Sequence, residues 1–206
     1  MEIIIFQIIV LIFSVIIHEI SHGFVAEYLG DNTARLAGRL TLNPIKHLDP
    51  FGSVILPFIL SLIPGGIVFG WAKPVPYNPF NLKNPAKGGA LIAAAGPLSN
   101  ILLAFIFGII YRLAVSNQAF FLNLNVLAEL SAMVVLVNSM LAIFNLVPIP
   151  PLDGSKVLFM FLSKSQHKLQ EFFERYVLII LLAFIFFGLS VINPIVYFVF
   201  KFFTGI

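Results

Sequence analysis

MEIIIFQIIVLIFSVIIHEISHGFVAEY (1–28) is the stretch on which the fold turns. It is apolar almost throughout, and about 27 helical residues are long enough to cross a hydrocarbon core of about 30 Å. No basic n-region or small-residue cleavage site marks it as a signal peptide, so it reads as a retained helix. The whole chain agrees with that reading. Its 206 residues are 60% hydrophobic and 10% charged, with a mean hydropathy of +1.03, whereas soluble domains carry about 25% charge. So few charges cannot coat an apolar interior with a polar shell, and 23 phenylalanines exclude disorder. With no cysteine, any metal must sit on His, Asp or Glu. A net charge of +3 is too small and too scattered for a nucleic-acid footprint, so no nucleic-acid partner is expected. The chain reads as a polytopic membrane protein whose first partner is the lipid bilayer.

Beyond the first helix, Gly30-Asp31-Asn32 is a stop signal. TARLAGRLTL (Thr33–Leu42) alternates apolar with polar or small residues and predicts a short β-hairpin or strand. Phe51 to Gly70 is apolar but broken by Pro57, Pro64, Gly65 and Gly66, and Trp71 to Pro85 carries four prolines that require an extended course. Clean spans follow at 88–115 and 124–147, the second ended by Pro148-Ile149-Pro150-Pro151. A short helix at 154–163, a last span at 172–191 and an apolar tail after Pro194 complete the chain. The predicted fold class is an all-α transmembrane bundle with a short β-hairpin and a re-entrant segment between the first two clean spans. It reads as one membrane-embedded domain over 1–206, with a catalytic core in 1–160 and C-terminal helices in 161–206.

Basic residues give orientation, because Lys and Arg stay on the cytoplasmic side. If Phe51–Gly70 enters and leaves by one face, ten of the twelve basic residues share a side, and only Arg112 and Lys201 fall opposite. If it crosses, Lys73, Lys83, Lys87 and every later loop change sides. The bias favours re-entry, which is tolerable at depth only when shielded by protein or facing water.

His18-Glu19-Ile20-Ser21-His22 is an H-E-x-x-H motif within that first apolar helix. Positions i and i+4 share a face, so both imidazoles can reach one metal, while Glu19 can take a proton from metal-activated water without being a ligand. Ionisable groups inside an apolar helix are costly and usually functional. Zinc suits imidazole ligands and this chemistry, at one ion per chain. Two histidines leave the site a ligand short, and the extended motif ending in a third histidine is absent, since GFVAEYLGD follows His22. Glu27, Asp31, His47, Asp49, Glu129, Asp153 and His167 remain as candidates. Glu27 is too close in sequence to close the site from the far side. Asp31, His47, Asp49 and His167 lie in basic loops and read as solvated surface. Glu129 is an acid within a span; Asp153, directly after the proline break, leads without being decided by spacing alone.

HEISHG (18–23), NPIKHLDPFGSVILP (43–57), GWAKPVPYNP through AGPLSN (70–100) and NLVPIPPLDG (145–154) together resemble the site-2 protease family of intramembrane zinc metalloproteases. The likeness is to its compact prokaryotic members without PDZ or CBS regulatory domains. It implies that Asp153 completes the zinc site with His18 and His22, and that Glu19 is the general base. It further implies that Asn145 holds substrate backbone or helps polarise the carbonyl, and that Asn100 lines the same site. The resemblance fades after about residue 160. A common depth for His18, His22 and Asp153 needs their two helices to run in one direction, which again requires Phe51–Gly70 to return to its starting face.

The expected activity is hydrolysis of peptide bonds in or near a transmembrane segment of another protein. The enzyme would be multi-pass in the cell membrane, with its site open toward the cytoplasm. Extended segments at Thr33–Leu42 and Ile67–Pro79 could offer an edge to an unwound substrate. A zinc transporter or structural zinc protein is the alternative of a different class, although the outer halves of the spans are too apolar for a polar pathway. A protease with Glu129 as third ligand is the other.

Overall fold

The computed structural model describes residues 2–55, 58–59, 62, 72–116, 124–162 and 167–206. Helix α1 (Glu2–Tyr28) leads to the short α2 (Thr33–Leu36). After an irregular connection come α3 (Pro85–Ser116) and α4 (Leu124–Leu146). Then follow α5 (Asp153–Phe161), α6 (His167–Arg175), α7 (Val177–Ala183) and α8 (Leu189–Thr204), the last two joined by a π-helical turn at Phe184–Gly188. Among the described residues, four helical stretches are long and apolar enough to cross a membrane: 3–28, 85–116, 124–146 and 177–204. The protein is therefore a multi-pass membrane protein. Large apolar side chains such as Ile4, Ile8, Leu102 and Phe187 face outward, as a lipid solvent requires.

Helix α3 is the hub and packs on α1, α4, α5 and α8. Directions follow from cross-helix contacts. His22 meets Ile92 and His18 meets Asn100, so residue numbers rise on α3 as they fall on α1, and the two helices are antiparallel. Ser14 meets Asn138, and His18 and His22 meet Asp153 just beyond α4, so α1 and α4 are parallel. The chain between α1 and α3 therefore leaves and returns at the same end of the bundle. How 56–57, 60–61 and 63–71 travel in between, and with them the expected re-entry, lies outside the described residues.

Two sequence expectations are corrected. Thr33–Leu42 is not a β-hairpin: no strand occurs among the described residues, and Thr33–Leu36 forms a helical turn. Local side-chain chemistry overrides the alternation. The Thr33 backbone N–H and hydroxyl both donate to Asp31 Oδ1, which starts the turn. Gly38 then reverses the chain at φ +63°, a conformation open to glycine, and Arg39 folds inward onto the Lys73 carbonyl instead of pairing a strand. At the C-terminus, the last span covers 177–204 rather than 172–191, and Pro194 lies inside α8 instead of starting a tail. Membrane helices tolerate such a proline because local helical adjustments satisfy the freed carbonyl.

Two surface expectations also change. Asp31 is fully buried and accepts from Thr33, from the Asn78 backbone N–H at 2.7 Å and from Asn81 Nδ2 at 2.7 Å. It ties the end of α1 to the segment entering α3. His47 is 2% exposed; its Nε2 donates to the Thr41 carbonyl, while its own carbonyl accepts from the Lys73 N–H.

Candidate metal centre

The site is assembled where α1, α3 and the start of α5 meet. His18 and His22 stand one turn apart on α1, with ring centroids 4.7 Å apart and planes nearly perpendicular. Opposite them, Asp153 opens α5. The residue after it, Gly154, has no side chain because a Cβ there would overlap the Leu146 and Val147 carbonyls. That missing atom lets α5 fold back beneath the end of α4 and aim the carboxylate inward. From the third side α3 contributes Gly96, where a Cβ would lie 2.5 Å from both His18 Nε2 and His22 Nε2. The α3 backbone thus leaves a hollow in front of the two nitrogens.

Asp153 Oδ2 lies 3.1 Å from His18 Nε2 and 3.2 Å from His22 Nε2. Four ligand atoms held tetrahedrally about one zinc ion stand about 3.3 Å apart, so the spacing fits. The proton inventory fits as well. His22 Nδ1 is 2.7 Å from the Ile92 carbonyl, which only accepts, so that nitrogen carries the proton. His18 Nδ1 donates likewise to Asn100 Oδ1 at 2.6 Å. In the neutral rings both Nε2 atoms are then lone pairs, and they face an acceptor-only carboxylate. A cation is what makes such a constellation favourable, and this is the only group of three such ligands within reach of one ion among the described residues. Lys156 Nζ, 3.8 Å from Asp153 Oδ1, sits over the Tyr77 ring at 5.8 Å and offsets charge at the outer carboxylate oxygen.

Glu19, half-buried beside the cluster, accepts at Oε2 from the Val75 N–H at 2.9 Å. The extended segment that carries Val75 is pinned at Lys73 and Asn78 too. Asn100 is fully buried and stands behind His18, on the far side of the ring from Asp153. Asn145 is half-buried at the end of α4, where its Nδ2 donates to its own helix at the Leu141 carbonyl.

The other candidates fall away on geometry. Exposed Glu129 lies more than four helical turns up α4 and outside the cluster, so the Glu129-ligated alternative is overturned. Glu27 pairs with Arg35, and Asp49 accepts from the Phe51 and Gly52 N–H groups. The side chain of His167 lies outside the described residues. Sequence reading missed Ser14 and Asn138, which join Asn100 behind His18. Their signal was available: Ser14 is four residues before His18 on the same helical face, and Asn138 is an amide in an apolar span.

A paired-histidine and carboxylate cluster inside a membrane bundle, with a glutamate beside it, is a donor set that suits a membrane-embedded zinc metalloprotease. Comparison with known proteins names the family. The model of Peptidase family M50 matches residues 6–126 and 114–188; the chain belongs to that family and is a zinc-dependent hydrolase of peptide bonds. It is 41% identical over 155 residues to YwhC of Bacillus subtilis, covering 74% of this chain and 67% of that protein. It is 30% identical over 151 residues to Rip2 of Mycolicibacterium smegmatis, covering 68% and 51%. Over 160 residues it is 31% identical to MJ0392 of Methanocaldococcus jannaschii, covering 76% and 34%. All three carry zinc metalloprotease in their names. The chain spans about half the length of Rip2 and a third of MJ0392. No solved structure matches it. Family membership also removes the transporter alternative.

Proposed function

We propose that His18, His22 and Asp153 hold the zinc ion and that Glu19 is the general base. The substrate would be a peptide bond in or near a transmembrane segment of another membrane protein. The observation carrying this reading is the convergence of two Nε2 lone pairs and one carboxylate oxygen, at 3.1 and 3.2 Å, with both Nδ1 protons engaged elsewhere. Zinc bound there supplies Lewis acidity toward the scissile carbonyl and lowers the pKa of water to near neutrality.

The chain's own residues account for the proton. The Val75 N–H holds Glu19 Oε2, leaving Oε1 to accept the proton of the attacking water and then deliver it to the departing amine. Substrate must be unwound first, because a helix sequesters its amides. The extended Ala72–Asn78 segment lies against Glu19 and would take up a straightened peptide alongside it through carbonyl acceptors, since Pro74 and Pro76 lack N–H donors. Asn145, once released from the Leu141 carbonyl, has an amide free for substrate backbone at the end of α4. The basic bias supports a cytoplasmic position for this end of the bundle, from which water would enter.

Two measurements test the reading. Zinc content of the purified protein should fall to background in Asp153→Ala and stay stoichiometric in Glu129→Ala. Cleavage of a panel of single-pass segments should map to bonds at or within the membrane boundary. Full zinc occupancy in Asp153→Ala overturns the ligand set, and cleavage confined to soluble peptides overturns the substrate class.

A further inference from the structure

One of the two histidines that face Asp153, His18, is backed by a chain of buried amides crossing three helices. His18 Nδ1–H donates to Asn100 Oδ1 on α3 at 2.6 Å. Asn100 Nδ2 donates to Asn138 Oδ1 on α4 at 2.9 Å and approaches the Ser14 carbonyl at 3.4 Å. Asn138 Nδ2 donates to Ser14 Oγ and to the Val134 carbonyl, both at 2.9 Å. Asn100 and Asn138 are 0% exposed, and Ser14 is 4%, so no solvent competes for these bonds.

The order of donors and acceptors has a direction. A backbone carbonyl only accepts, so the Val134 oxygen requires the NH2 end of Asn138 beside it. That turns the Asn138 oxygen toward Asn100, which must answer with its own NH2. The Asn100 oxygen is thereby left facing His18 Nδ1, which must carry the ring proton. In a neutral imidazole the remaining nitrogen, Nε2, is then a lone pair, and it is Nε2 that faces Asp153. Reversing one amide inside this chain sets NH2 against NH2 or oxygen against oxygen, at the cost of buried unpaired groups.

We infer that Asn138, working through Asn100, is a positioning residue that holds His18 in the tautomer able to ligate metal, with the Val134 carbonyl as the near fixed end of the chain and the longer 3.4 Å contact from Asn100 to the Ser14 carbonyl acting in the same sense. This rests on His18 being a zinc ligand. His22 has a different arrangement for the same end, because its Nδ1 sits directly on the Ile92 carbonyl and needs no intermediary. The two ligands should therefore respond differently when Asn138 changes. Partners that orient a ligating histidine are typically worth 10–100-fold in metal affinity.

The test uses full-length protein in detergent, metal-free and 15N-labelled at histidine. There are only four histidines, so each ring is assignable by single substitution. Long-range 1H–15N correlation should show His18 protonated at Nδ1 in the wild type. In Asn138→Leu, which keeps the number and branching of side-chain heavy atoms and removes both ends of the amide, the Nε2–H form of His18 should appear. His22 should stay as it was, and zinc affinity measured against a chelator should fall about 10–100-fold. Ser14→Ala should leave tautomer and affinity near wild type, because the Val134 carbonyl still orients Asn138. A wild-type His18 protonated at Nε2 and not at Nδ1 overturns the inference, and that measurement holds even if Asn138→Leu does not fold. A folded Asn138→Leu with an unchanged tautomer and unchanged zinc affinity overturns it too, leaving Asn138 as helix packing alone. Failure of the ligand reading looks different: His18→Ala would then bind zinc as tightly as the wild type.

Discussion

Replacing Gly96 by alanine adds one methyl group at the most crowded point of the metal centre, and its two effects have opposite signs. In the middle of α3, Gly→Ala should favour the helix by about 0.5–1 kcal/mol, because alanine loses less backbone freedom. The added Cβ, however, lies 2.5 Å from His18 Nε2 and from His22 Nε2, where ordinary contact is about 3.5 Å. Both rings must retreat by about 1 Å. Neither can do so freely, since His18 Nδ1 is held at 2.6 Å by Asn100 and His22 Nδ1 at 2.7 Å by the Ile92 carbonyl. Backing away therefore compresses or breaks two hydrogen bonds, and the methyl occupies space in front of both lone pairs. Overpacking of this kind costs about 1–3 kcal/mol, which equals or exceeds the helix gain in the metal-free protein. Metal binding has no such offset: the variant should lose at least about 100-fold in zinc affinity, or about 2.7 kcal/mol. Chelator competition in detergent reads the affinity, and thermal unfolding of the metal-free protein reads the offset. Wild-type zinc affinity in Gly96→Ala would refute the placement of the metal in the hollow between α1 and α3.

Glu19→Gln should keep stoichiometric zinc and lose about 10²–10⁴-fold in cleavage of a single-pass substrate; an active, zinc-loaded variant removes Glu19 from the role of base. Burial would raise the Asp31 carboxyl, but the donors of Thr33, Asn78 and Asn81 outweigh it and hold it below its ordinary value. Its contribution to stability is thus present above the unfolded carboxylate pKa and is lost as pH falls through the lower, folded one. The protection of the Asn78–Leu82 amides relative to their intrinsic exchange rates should fall on that acid limb, and Asp31→Asn should show the lower protection already at neutral pH; a pH-independent protection factor in the wild type refutes the tie. Arg112 donates to the Phe202 carbonyl at 2.5 Å and the Phe203 carbonyl at 2.8 Å, closing the last turn of α8. Arg112→Ala should fray that turn in hydrogen exchange without altering zinc content, and coupled zinc loss would show that α8 supports the metal centre.

How much could be read in advance depended on the range of the physics involved. H-E-x-x-H is legible because i and i+4 meet on any helix, and the apolar surroundings make the polar exceptions conspicuous. Asp153 was the leading third ligand, yet its approach depends on Gly154 and on α5 folding back under α4, neither of which a spacing encodes. Asn100 was recognised at the site by resemblance, but its place behind His18 came only from α3 lying antiparallel to α1. The hairpin failed for a local reason: alternation along TARLAGRLTL competed with the Asp31 cap and Gly38, and the cap won. Asp31 and His47 looked like loop polarity because burial of a polar residue depends on partners such as Asn78 and Lys73, which lie far along the chain.

The cluster also bears on how a cell makes such an enzyme. Asp153 follows His18 by 135 residues. The two histidines enter the bilayer with α1, and the carboxylate that faces them is translated only after α3 and α4. Until then the nascent chain has two imidazoles and a glutamate but no third ligand from α5. The bilayer at the site of insertion is crowded with other unfolded transmembrane segments. By splitting this cluster across the chain, the protein keeps the proposed metal centre unassembled while it is itself one of them.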